Sequence, residues 1–72
     1  MQRIDFELDP GRDHVELNQL LKLTGLCDSG GAGKAIVASG AVAVDGTIEL
    51  RKTRKVRVGE VVTIDNVEIH VS

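Results

Sequence analysis

SGGAGKAIVASG (Ser29–Gly40), VAVDGTIE (Val42–Glu49) and RKTRKVR (Arg51–Arg57) follow one another almost without a break. Gly33, Ile36, Val37 and Gly40 recur at helical spacing, so the first stretch is expected to form a helix whose small-residue face meets another helix. Asp28 or Ser29 suits the N-cap. Gly30, Gly31 and Gly33 each cost about 1 kcal/mol of helix propensity if interior, and a close backbone approach is the usual compensation. Lys34 is expected on the opposite face, beside a smooth surface of Gly30, Gly31, Ala35 and Ala38. Gly40 ends the helix. Asp45-Gly46 is a strong signal for a type I′ hairpin, which needs positive φ at both positions. The return strand, Thr47 to Leu50, runs into the basic segment, where Val56 and Val58 share one parity and Lys55 and Arg57 should face away from them.

Upstream, Ile4, Phe6 and Leu8 alternate with Arg3, Asp5 and Glu7, the period of a half-buried strand. Asp9-Pro10-Gly11 ends it. Asp13 reads as a helix N-cap, with Glu16 completing a capping-box-like pair. Leu17, Leu20, Leu21 and Thr24 then share one face of a helix of about three turns, and Gly25 suits the left-handed position after its end. Downstream, Gly59-Glu60 marks a turn, and strands are expected over Val61–Asp65 and, after Asn66, Val67–Val71. The whole is an α+β fold: two N-terminal helices packed on a small, mostly antiparallel β-sheet, forming a single domain over residues 1–72.

The chain has 72 residues and one aromatic side chain, Phe6, so ten valines with Leu and Ile must build the core. A domain of this size buries only about 60% of its unfolded surface. No apolar run approaches the ~20 residues that span a bilayer, and no basic-then-apolar leader opens the chain. Membrane attachment is therefore not expected. The single cysteine, Cys27, cannot form an internal disulfide, which fits a reducing cytoplasm.

Five of the nine Lys and Arg lie between Arg51 and Arg57, although the formal net charge is −2. Charge gathered so tightly on so small a domain suits a large anion, and nucleic acid is the commonest one. The start of the second helix adds free amides and a positive dipole end. The bland reading of the basic run is a solvated strand edge that discourages aggregation; Lys34 and the adjoining glycines weigh against it. A phosphate-binding loop fails on spacing: Asp28 stands where its first glycine belongs, and Ala35 where its Ser or Thr belongs. His14, His70 and Cys27 form no metal-ligand or nucleophile pattern, and no two carboxylates recommend themselves as acid and base. The expectation is a non-enzyme with no cofactor, no metal and no small-molecule substrate.

Leu17, Leu20 and Leu21; Ser29, Gly33 and Lys34; Ile36 and Val37; Gly40, Val42, Val44, Asp45 and Gly46; and Gly59-Glu60 together resemble the RNA-binding domain of the ribosomal protein S-four type, the alpha-L motif. The resemblance spans Leu17 to Val62, within a motif core of about residues 14–65. The short length and the R-K-x-R-K run look most like the small stand-alone bacterial members, of the YbcJ type. The resemblance implies structured RNA, ribosomal or transfer RNA-like, bound through Ser29, Gly30, Lys34 and the basic residues Arg51, Lys52, Arg54, Lys55 and Arg57. Glu16 and Gly30 stand where many members carry arginine, which shifts the burden onto Arg51–Arg57. The expected form is a cytoplasmic monomer. The alternative is a protein-interaction module that recruits an acidic partner through the same basic edge.

Overall fold

The computed structural model describes residues 1–72. In chain order it forms β1 (Gln2–Phe6), β2 (Val15–Glu16), α1 (Leu17–Leu23), α2 (Gly30–Ala38), β3 (Val42–Val44), β4 (Thr47–Ile48), β5 (Lys55–Val56), β6 (Val61–Ile64) and β7 (Val67–Val71). Five strands make one sheet in the order β1-β7-β6-β3-β4, while β2 and β5 form a separate two-stranded ladder. Every pairing is antiparallel except β1 with β7. The expected architecture, two helices on a mostly antiparallel sheet, is what the chain adopts.

Thirteen apolar side chains form one core. Leu17, Leu20 and Leu21 come from α1, Val37 from α2, and Val42, Val62 and Ile69 from the sheet; all are fully buried. Burying a side chain of this kind stabilises the fold by about 1.5–3 kcal/mol, so the alternating strand pattern fixes which sheet face meets the helices. Val15 and Val56, opposite each other in the small ladder, extend the same core.

Gly33 sets the distance between the helices. A Cβ placed there would lie 2.5 Å from the main-chain oxygen of Asn18, so α1 and α2 touch through backbone. That close approach is what the glycine-rich start of α2 makes possible. Gly30 also turns toward α1, where a Cβ would lie 2.8 Å from Gln19 Nε2. The smooth exposed surface therefore consists of Gly31, Lys34, Ala35 and Ala38, without Gly30.

Two local expectations are corrected. α1 is a seven-residue helix whose N-cap is Glu16, in extended conformation and with no side-chain capping bond. Asp13 does not cap it. Val15 and Glu16 are drawn into antiparallel pairing with Val56 and Lys55, which holds them extended and delays the helix. The Asp13 carboxylate is occupied elsewhere, by Arg57 Nη1 at 3.2 Å and His14 Nδ1 at 2.7 Å. Second, Val58 does not share the burial of Val56: it is 63% exposed. The strand stops at Val56, and the turn toward Gly59 (φ 91°) breaks the parity.

Candidate nucleic-acid interface

Each element of the site is placed by a short-range signal. The Ser29 hydroxyl accepts from the Ala32 amide at 3.1 Å and its carbonyl accepts from Gly33 at 3.0 Å. Those bonds satisfy two of the helix's first amides and leave those of Gly30 and Gly31 without a protein acceptor. Lys34 stands exposed one turn further on. Behind the hairpin, Asp45 and Gly46 carry φ of 50° and 84°, as a type I′ turn requires. The Asp45 carboxylate accepts from the Val61 amide at 2.9 Å, which ties the turn to β6.

The basic run leaves β4, forms a loop, pairs briefly as β5 and turns into β6. Arg51, Thr53, Arg54, Lys55 and Arg57 line an open concavity that has no apolar residue in its wall. The loop is anchored to α1 from below. Leu17 N–H donates to the Arg54 carbonyl at 2.9 Å, and Asn18 N–H to the Lys52 carbonyl at 3.1 Å. Main-chain carbonyls of the basic loop thus take the place of a side-chain cap for α1.

Asn18 joins the two halves of the site. It is 2% exposed; its amide meets the basic loop, and its Nδ2 donates to the Gly30 carbonyl at 3.4 Å. Its Oδ1 is buried with no partner. Sequence reading missed this residue, although an asparagine beside Leu17 and three positions before Leu21, on a leucine-rich helix, is the kind of buried polar group that demands a structural reason.

The arginines and lysines of the run differ in a way their spacing does not show. Glu49 takes Arg51 through Oε2 at 3.1 Å and Oε1 at 3.0 Å, and also accepts from the Arg51 amide. Arg54 lies between Glu49 (Nε to Oε1, 2.9 Å) and Glu60 (Nη1 to Oε1, 3.2 Å; Nη2 to Oε2, 2.8 Å). Arg57 pairs with Asp13. All ion pairs of the chain involve arginine or histidine, so Lys34, Lys52 and Lys55 stand without carboxylate partners.

These pairs perturb the acids most. Hydrogen bonds from the Arg51 side chain, then its amide, hold Glu49 down to about 2. The Arg54 guanidinium holds Glu60 below its ordinary value. Asp13 is lowered first by His14 and then by Arg57. All three are anions at neutral pH, and the five cations of the run face three internal counter-charges.

Other candidates lie apart. Cys27 is a free thiol whose Sγ donates to the Ser29 carbonyl at 3.3 Å. His14 pairs with Asp13 and His70 with Glu68, on different parts of the fold. Phe6 is half-buried and does not line the basic concavity. No helix is long and apolar enough to cross a membrane.

Two helices on a mostly antiparallel sheet, with a basic loop set against the start of α1, define an alpha-L fold. The chain belongs to the S4 domain family, whose model matches residues 7–72. It is 48% identical over 50 residues to the putative RNA-binding protein YbcJ of Escherichia coli (strain K12), covering 69% of this chain and 71% of that protein. The uncharacterized protein YbcJ of Shigella flexneri matches over the same shares at the same identity. The solution structure of YbcJ from E. coli, with an alpha-L motif described as involved in RNA binding, aligns with a TM-score of 0.70 at 40% identity. That alignment covers 93% of this chain and 84% of that one.

Proposed function

We propose that this protein binds structured RNA, ribosomal or transfer RNA-like, without catalysis. Family membership supports RNA as the ligand class, and so does the RNA-binding role given to the E. coli relative. The observation that carries the reading is the basic concavity of the loop anchored to the start of α1, whose wall is wholly polar and mostly cationic. Arg51, Arg54, Lys55 and Arg57 supply its positive field from the wall, and Lys52 adds to it from an exposed position on the same loop, outside the wall. Lys34 extends that field along α2, and Ser29 and Gly30 offer hydroxyl and main-chain N–H at the helix start.

A preference for folded RNA follows from what the concavity lacks. Readers of single strands stack bases on aromatic side chains, worth roughly 1–3 kcal/mol per base. The chain's one aromatic residue, Phe6, sits on β1 away from this wall. Recognition then rests on phosphates, 2′-hydroxyls and shape, the terms that favour a stem or junction. A monomer working in the cytoplasm, where the lone Cys27 stays reduced, completes the reading. Competition binding tests it: a structured ribosomal or transfer RNA fragment should displace the probe well before a single-stranded oligomer of equal length and charge. Equal affinity for the two would leave only a non-specific cationic patch. Displacement by an acidic protein but by neither RNA would favour the protein-interaction alternative.

A further inference from the structure

Within the basic run, we propose that Arg54 is a positioning residue: with Glu49 and Glu60 it staples the base of the loop that presents Lys52 and Lys55 to the RNA backbone. This rests on the RNA-binding reading and divides the basic cluster into two roles.

Glu49 lies at one end of the loop, just beyond β4, and Glu60 at the other, just before β6. Arg54 reaches both. Its guanidinium meets Glu60 in a two-bond fork at 3.2 and 2.8 Å and lies 2.9 Å from Glu49 through Nε. A further Nη1 bond goes to the Lys55 carbonyl at 3.4 Å. The side chain is only 23% exposed, against 76% for Arg51 and 55% for Arg57. Planar two-point pairing of this kind matches arginine and cannot be reproduced by an ammonium group.

The same three residues organise the surrounding backbone. Glu60 Oε1 also accepts the Arg57 amide at 2.8 Å, and Glu49 Oε2 the Arg51 amide at 3.0 Å. The Arg54 carbonyl receives Leu17 N–H, so the staple is continuous with the start of α1. Most of the Arg54 donors are therefore spent inside the protein. The unpaired cations carried by the stapled loop are Lys52 and Lys55, and these are the groups left to neutralise phosphates.

Glu60→Gln gives the two views opposite signs. If Glu60 merely opposes a polyanion, removing its charge tightens RNA binding. If it holds Arg54, the isosteric amide places an NH2 against the guanidinium and binding weakens. Arg54→Lys separates them again, because it keeps the charge and loses the fork. The experiment measures dissociation constants for a transfer RNA fragment at fixed salt, with amide hydrogen exchange of the free protein at Leu17, Asn18 and Arg57.

The expected result is binding weakened about tenfold in both variants, the loss of roughly one charge-assisted hydrogen bond, with faster exchange at all three amides. Binding as tight as wild type or tighter, or unchanged exchange, would overturn the proposal. Should Glu60→Gln not fold, Glu49→Gln makes the same charge comparison and Arg54→Lys stands by itself. If the wild-type protein binds neither a transfer RNA fragment nor a structured ribosomal RNA fragment, the RNA reading fails. Exchange in Arg54→Lys then still decides the staple: faster supports it and unchanged rejects it.

Discussion

The main-chain amide of Leu17 donates to the carbonyl of Arg54 at 2.9 Å, across 37 residues of chain. Helix α1 has no side-chain cap, so its first amides depend on the loop that carries the basic residues. The helix and the loop are consequently one unit: what loosens the loop exposes the start of the helix.

Amide hydrogen exchange should show this directly. First-turn amides of a helix usually exchange fast because they lack intrahelical acceptors. Leu17 and Asn18 should instead be protected to nearly the level of Leu20 and Leu21, as measured by NMR-detected exchange. Rapid exchange at both would mean the loop does not cap α1 in solution.

Gly33 and Gly31 make a matched pair. A Cβ at Gly33 meets Asn18 backbone at 2.5 Å, whereas at Gly31 the nearest group is Ser29 Oγ at 3.9 Å. Gly33→Ala should force the helices apart and destabilise the domain by about 1–3 kcal/mol, the usual range for overpacking. Gly31→Ala should stabilise it by up to about 1 kcal/mol through helix propensity. Chemical denaturation of the two variants should show these opposite signs.

The contrast also marks what the sequence made legible. Signals that act over a few residues were legible: an N-cap at Asp28 or Ser29 (the structure places it at Ser29), Gly25 and Gly40 beyond helix ends, Asp45-Gly46 in its turn, and the alternation that builds β1. The basic run and Lys34 were visible as charge. What escaped was set by partners distant in sequence. Asp13 looked like a cap because nothing local reveals Arg57, 44 positions away. The division between paired arginines and free lysines was equally hidden, since it depends on where Glu49 and Glu60 come to rest. Asn18 was passed over because its two roles, toward Lys52 and Gly30, exist only once the helices and the loop have met.

Gly46 has φ of 84° and open space around it. The constraint there is conformational and not steric crowding. Gly46→Val should cost on the order of 1–3 kcal/mol, the usual cost of a residue held in a sparsely populated backbone region. That is a large share of the stability of a small domain. Thermal denaturation should show a clear loss; no change would mean that the hairpin tolerates another turn.

Acid should loosen the loop. The unfolded chain holds Glu49 near its ordinary 4.5, while the folded chain holds it at about 2. A depressed carboxylate contributes stability that is present above the unfolded value and lost as pH falls through the folded one. Glu60 and Asp13 shift in the same direction. Thermal stability should therefore hold near neutrality and decline from about pH 4.5 toward about pH 2. Glu49→Gln should flatten part of that decline. An equally steep decline in that variant would show that Glu49 is not among the groups being titrated.

Salt dependence of RNA binding should distinguish the two kinds of cation. Each phosphate that goes unneutralised makes the slope of log K against log salt shallower by roughly 0.7–0.9. Lys52 and Lys55 have no carboxylate partner and should each show that full effect on change to alanine. Arg51 behaves differently because its removal also uncovers Glu49, which it binds through two side-chain bonds. Arg51→Ala should thus weaken binding by leaving Glu49 only partly neutralised, with Arg54 as its remaining partner, while changing the slope less than either lysine does. Fluorescence anisotropy across a salt series, with folding checked by circular dichroism, reads all three variants together. Three equal slope changes would mean that the RNA senses only total charge, and that the ion pairs of Glu49 do not set which cations it meets.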